Sequence, residues 1–233
     1  ESCASCHVDA RVDGLNWDSL NDGIGNPKNT KSMLYTHRTP PAMTTGVVVN
    51  GEQAVRDSTK FTHSNTIPEK DNLAIDAYLK SLQPIASPHL NKDGTLTESA
   101  KRGKALFTEA GCVTCHSGPH FTDMKTHDVG TLDGTTWENR PLDTPSLVEV
   151  WRTGPWLHNG RETDMAKLIK TYFLKGTSYS DAQIRDLANY VLSIGAESEL
   201  YGVERVALVD KNHSDKLMKF APGDTITTIT IRK

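Results

Sequence analysis

Cys112-Val113-Thr114-Cys115-His116 and, at the start of the chain, Cys3-Ala4-Ser5-Cys6-His7 decide how the sequence reads. C-x-x-C-H is the attachment pattern of c-type haem. Two cysteine sulfurs form thioethers to the porphyrin vinyl groups, and the next imidazole takes one axial position on the iron. The spacing is rigid because both vinyls and the iron are fixed on one macrocycle. The two copies use all four cysteines of the chain. A thioredoxin-like dithiol would need a βαβ setting, which neither copy has. One zinc held by four thiolates would leave the histidine after each pair unexplained. The sequence therefore predicts two covalently bound haem c groups, with Cys3, Cys6, Cys112 and Cys115 as attachment points and His7 and His116 as iron ligands.

The chain has 233 residues, room for one large or two small domains. Hydrophobic residues make up 36% and aromatics 6%. That is lean for a chain enclosing two porphyrins, and the porphyrins themselves supply apolar filling. A net charge of −3 implies no nucleic-acid surface, and no apolar run approaches a membrane span. Haem c is attached outside the cytoplasm, so the expected location is periplasmic or extracellular. Only Glu1 and Ser2 precede the first cysteine and no signal peptide is visible. A processed chain or a piece of a longer one is expected; the first domain lacks an N-terminal helix, which is either supplied by an upstream domain or neighbouring subunit or dispensed with.

Working outward, Val8 to about Lys60 shows little helical periodicity and carries the turn dipeptides Asp13-Gly14, Asp22-Gly23 and Asn50-Gly51. So long a loop is unusual unless it wraps a cofactor. Pro68-Glu69 opens a helix with its stripe at Leu73, Ala77, Tyr78 and Leu82, ended by Pro84. Pro84, Pro88 and Asp93-Gly94 mark a linker, which sets a first cytochrome c domain at 1–88 and a second at 89–198. Thr97-Glu98 starts a helix that runs directly into Cys112. Its Gly103 either lets another helix cross closely or is simply tolerated. Thr163-Asp164 precede an apolar stripe of Met165, Leu168, Ile169, Tyr172 and Phe173, with Gly176 beyond its end. Ser180 and Gln183 form a capping box for a last helix through Leu192, ended by Gly195. Ala77–Leu82 resembles Asn189–Ile194, each roughly 70 residues beyond its haem motif, as in an internal repeat. The fold expected is mostly α, two tandem cytochrome c-type domains. Residues 199–233, rich in β-branched residues, are expected to form a small β appendage, either a hairpin on the haem domain or an edge that pairs with another chain.

A haem iron has a second axial site, and function turns on it. A strong sixth ligand makes an electron carrier, whereas an open site admits peroxide or oxygen. His37, Met43 and His63 lie within reach in sequence as sixth ligands for the first haem.

The order of two C-x-x-C-H motifs followed by Thr153-Gly154-Pro155-Trp156-Leu157-His158-Asn159-Gly160 resembles the bacterial dihaem cytochrome c peroxidases, whose signature is T-A-P-Y-(F/M)-H-(D/N)-G; MauG belongs to the same family. The resemblance runs from about Cys3 to Ala196 and is best from Arg102 to Gly176. It implies reduction of hydrogen peroxide at the first haem, with electrons from a small cytochrome or cupredoxin relayed through the second. In the MauG branch a protein is the substrate. At the second haem's distal position, where the peroxidases carry methionine and the MauG branch tyrosine, this chain has Tyr172. A phenolate stabilises ferric and higher iron states; otherwise Tyr172 is a core aromatic. Thr153 and Pro155 match positions whose carbonyls hold calcium in the family, with Asn16, Asn21, Asn26 and Asn29 competing to complete the site. His158 becomes a structural or propionate-contacting residue. Glu52, in Thr45–Ala54, keeps the family's closing Glu-Gln-Ala and would shuttle a proton between the peroxide oxygens; the segment lacks the family's Trp-Asp and Arg-Ala. Trp17 is the candidate inter-haem tryptophan, with Trp137, Trp151 and Trp156 as packing residues. Ser19–Ile24, where peroxidases that need reductive activation carry a histidine, has none. A dihaem electron carrier within a larger assembly is the alternative.

Overall fold

The computed structural model describes residues 2–18, 27–131 and 141–195. The chain divides into two units, Glu1–Ala196 and Glu197–Lys233. Every described residue belongs to the first. The expected β appendage at 199–233, together with Asp22-Gly23, the 19–24 stretch, Asn21, Asn26 and Trp137, lies outside the described residues.

The described part is mostly helical, with two short antiparallel ladders. The order is β1 (Asn16–Trp17), β2 (Lys28–Asn29), α1 (Gly51–Asp57), α2 (Glu69–Ser81), α3 (Glu98–Glu109), β3 (Thr126–His127), β4 (Leu142–Asp143), α4 (Met165–Leu168) and α5 (Asp181–Ser193). β1 pairs with β2, Asn16 opposite Asn29, and β3 pairs with β4.

The helix starts obey capping chemistry. Thr97 accepts the Ala100 amide, Asp164 that of Lys167, and Ser180 forms a reciprocal box with Gln183. α3 and α5 are the main crossing. Gly103 makes it possible, because a Cβ there would lie 2.0 Å from the Asp186 carbonyl oxygen and 2.8 Å from the Tyr190 Cβ. Ala100, Phe107, Leu187, Tyr190 and Val191 fill the seam and are buried. Asp186 ties its edge to Arg102 at 2.7 Å and to Ser99 at 2.6 Å. Gly111, at a left-handed φ of 78°, then turns the chain from α3 into the second haem motif.

The reading of Val8–Lys60 as non-helical is corrected. Asn50-Gly51 is not a turn: Asn50 is an N-cap whose Oδ1 accepts the Gln53 amide at 2.8 Å, and α1 comes next. The helix continues as a π-helical stretch at Ser58–Thr62, and α4 likewise passes into one at Ile169–Phe173. Each stretch comes after a short α-helix and precedes a longer one, so the internal repeat extends to this detail. The Pro84–Gly94 connector is anchored on the second half, with Ser87 Oγ donating to the Leu192 carbonyl at 2.7 Å. Asp13-Gly14 is the turn expected: Asp13 accepts the Leu15 amide at 2.9 Å and Gly14 sits at a φ of 73°.

Candidate haem sites

Both C-x-x-C-H motifs fold alike. Cys3–Ser5 and Cys112–Thr114 are single 3-10 turns. The His7 amide donates to the Cys3 carbonyl at 2.8 Å, and the His116 amide to that of Cys112 at 2.9 Å. The turn gathers two thiols and an imidazole locally. His7 Nδ1 is 3.2 Å from the Arg11 carbonyl and His116 Nδ1 is 3.0 Å from that of Phe121. A carbonyl only accepts, so in each ring Nδ1 carries the hydrogen and Nε2 keeps its lone pair. This is the outer-shell arrangement that orients a metal-binding histidine. Burial lowers the pKa of both imidazoles and keeps them neutral, as a ligand must be.

Haem c, the group this fold implies, fits these residues. All four cysteines are half-buried, and burial holds Cys112 and Cys115 as thiols. Asp123 and His127 come near Cys115. Phe121, whose carbonyl holds His116, packs edge-on to Phe107, and Phe107 packs on Tyr190, with centroids 6.2 and 5.3 Å apart. The α3–α5 seam thus braces the carbonyl that holds His116.

The sixth-ligand candidates separate. His37 Nε2 is 2.8 Å from Asp76, with side chains only 2% and 5% exposed, and its ring lies against Gly51. Asp76 also holds Arg56 at 2.8 Å, so His37 belongs to a buried ionic knot between α1 and α2. Met43 sits beside the Ala42, Val48 and Ala54 cluster. His63 alone of the three lies at the motif, with Nε2 3.8 Å from Cys3 Sγ.

Glu52 stands in the first turn of α1, its carboxylate 37% exposed and 2.6 Å from Lys80 Nζ. The hydrogen bond from Lys80 holds its pKa below the usual carboxylate range. It is therefore a carboxylate at neutral pH, suited to accept a proton rather than to supply one. Trp17 is 47% exposed and donates from Nε1 to Asp13 at 2.8 Å. Burial alone would raise the Asp13 pKa, but bonds from Thr30, Leu15 and Trp17 outweigh it and lower it.

The first loop docks on the Thr153–Gly160 octapeptide. Asn16 Nδ2 donates to the Asn159 carbonyl at 2.9 Å, and the Asn29 amide to that of His158 at 2.7 Å. Asn29 Nδ2 donates to the Pro155 carbonyl, while Asn29 Oδ1 is buried with no partner among the described residues. A hard cation there would need the Asn29 amide turned so that Oδ1 replaces Nδ2 at the Pro155 carbonyl. The pairing of Asn16 with Asn29 could not be read from spacing alone, because it depends on a two-residue ladder.

Tyr172 lies in the π-helical stretch. Its hydroxyl donates to Glu162 at 3.3 Å, and the Arg161 guanidinium sits 5.0 Å from its ring centre. Sequence reasoning missed the buried Arg11–Glu149 pair, 2.5 Å apart with side chains 4% and 0% exposed. No periodic signal marks two residues so far apart in the chain.

Residues 100–195 match the Cytochrome c family. Hydrazine synthase subunit gamma of Kuenenia stuttgartiensis is 26% identical, aligned over 83% of this chain and 72% of that protein. Methylamine utilization protein MauG of Methylorubrum extorquens is 23% identical over 84% and 73%. A solved hydrazine synthase from Kuenenia stuttgartiensis superposes with a TM-score of 0.70 at 27% identity, covering 83% of this chain and 81% of its own. Fold and motifs define a protein with covalently bound haem c. Relatives named MauG and cytochrome-c peroxidase, together with the cytochrome c match, support a relationship to the MauG/dihaem cytochrome c peroxidase family. Among the described residues no helix is long and apolar enough to cross a membrane.

Proposed function

We propose that the chain is a two-haem oxidoreductase of the peroxidase/MauG type, working outside the cytoplasm, that reduces hydrogen peroxide. One peroxide takes two electrons and two protons to give two waters. Bound haem supplies the redox chemistry and the site where peroxide is held. The observation that carries this reading is the duplicated proximal arrangement, two neutral histidines each fixed by an Nδ1 bond to a carbonyl.

His7 and His116 hold and orient the two groups, and the buried carbonyl partners keep Nε2 available. Glu52, an accessible carboxylate, accepts a proton from incoming peroxide and returns it to the leaving oxygen, with Lys80 anchoring it at rest. Tyr172, whose hydroxyl donates to Glu162, would be the further iron ligand of the second haem. Asn29, Pro155 and Thr153 are the residues that would hold a calcium ion. Electrons come from a small redox protein, or a protein partner is itself oxidised, as the MauG relationship suggests. The test is peroxide turnover with a reduced small cytochrome. E52Q should lose roughly 10²-fold or more, the usual contribution of a positioned proton-transfer group; undiminished turnover in E52Q sinks Glu52's role.

His63 favours a second reading. An imidazole beside Cys3 could close the first haem and leave an electron carrier. A relative named as a subunit of hydrazine synthase suits a carrier that works inside a larger assembly.

A further inference from the structure

Arg11 and Glu149 form a buried ion pair that nothing in the family signature calls for. Arg11 Nε and Nη2 reach the two Glu149 oxygens at 2.5 and 3.1 Å. Its other donors go to the Asp9 and Gln83 carbonyls, each at 3.2 Å. Glu149 also accepts the Ile85 amide. Burying two charges costs several kcal/mol per ion, and a well-packed apolar pair often serves stability equally well. The position of this pair therefore matters more than its bond count. The Arg11 carbonyl is the group that takes the His7 Nδ1 hydrogen, so the guanidinium belongs to the same residue that orients the first proximal ligand. Glu149 belongs to the second half, and its amide donates to the Ile194 carbonyl at the end of α5. Tyr35 lies alongside, buried, with its ring 4.5 Å from that of His120, the neighbour of the residue that holds His116.

We propose that Arg11 and Glu149 are positioning residues whose balanced charges set the reduction potential of the haem held by His7. The inference rests on the haem reading of His7. A neutral pair places only a dipole behind the ligand. Losing either partner leaves an unscreened charge in a low-dielectric shell, and the sign of that charge decides which iron state it favours. An orphaned guanidinium favours the reduced state and an orphaned carboxylate the oxidised one.

The experiment is a potentiometric titration of the full chain, monitored optically and by EPR, in wild type, E149Q, R11Q and R11Q/E149Q. Haem content is measured first by pyridine haemochromogen. A wild type without two haems overturns the haem reading itself, an outcome distinct from any shift in midpoint. E149Q is expected to raise the first midpoint and R11Q to lower it, each by about tenfold in the reduction equilibrium, ~59 mV for one electron. The second midpoint should hold. The double variant should return to within about threefold of wild type. A purely structural pair would not give shifts of opposite sign. Unmoved midpoints, or shifts of the same sign in both single variants, overturn the proposal. Should neither single variant fold, the double variant decides: a midpoint near wild type supports charge balance, and a tenfold shift refutes it.

Discussion

Gly103→Ala adds one methyl group at the α3–α5 crossing. Its Cβ would sit 2.0 Å from the Asp186 carbonyl oxygen and 2.6 Å from the carbonyl carbon, where real Cβ contacts stay beyond 3.0 Å. Both obstacles are backbone, so no side chain can swing away, and the helices must separate by about 1 Å (the shortfall in that contact). Exchanging glycine for alanine in a helix interior stabilises by about 1 kcal/mol. Overpacking a closed seam costs about 1–3 kcal/mol and sometimes more. This seam has little slack, since Ala100 is 0% and Leu187 1% exposed. The crowding term wins, and a net loss of about 2 kcal/mol is expected. In a unit of this size that lowers the melting temperature by about 4–8 °C. Thermal melts monitored by circular dichroism and by the Soret band would read it. Because Phe107 and Phe121 connect the seam to the His116 carbonyl partner, the Soret band should broaden before global unfolding. A G103A protein as stable as wild type, or more so, would refute the close crossing.

Three further outcomes are expected. His63→Ala should leave the first haem's spin state and peroxide rate unchanged; a high-spin signal that arises only in H63A would transfer the chain to the carrier reading. A calcium chelator should lower the melting temperature of wild type, while N29A should already melt at that lower value and ignore the chelator; identical melts with and without chelator would remove the calcium site. Stability should fall as pH drops below about 4. The Arg102 bond holds the Asp186 pKa low, and at Asp76 bonds from His37 and Arg56 overcome the effect of burial with the same result. These carboxylates release their protons at lower pH when folded than when unfolded, so their stabilisation is complete above the unfolded value and lost as pH falls through the folded one. Asp143, raised by burial, contributes with the opposite sign. D186N should flatten the acid limb, and an unchanged slope would contradict the assignment.

What the sequence made legible was covalent or locally periodic. The haem motifs need fixed spacing, and the α2, α3 and α5 starts come from Pro68, Thr97 and the Ser180–Gln183 box. α1 was hidden because Asn50-Gly51 serves equally as a turn and as a helix start, and only the Gln53 amide, donating to Asn50, decides between them. The π-helical stretch that carries Tyr172 leaves no trace in a 3.6-residue pattern, since it changes the ladder and not the composition. His37 and His63 were equivalent on paper. Long-range packing separated them, giving one to Asp76 and the other to Cys3. The Arg11–Glu149 pair joins residues from opposite halves, and no local rule relates them.

The most direct test of the central claim is the ferric EPR spectrum of the full chain before and after one equivalent of hydrogen peroxide. Two haems, one of them high-spin and lost on adding peroxide, are predicted. Two low-spin haems that ignore peroxide, both as isolated and after half-reduction, would contradict the account and leave an electron relay.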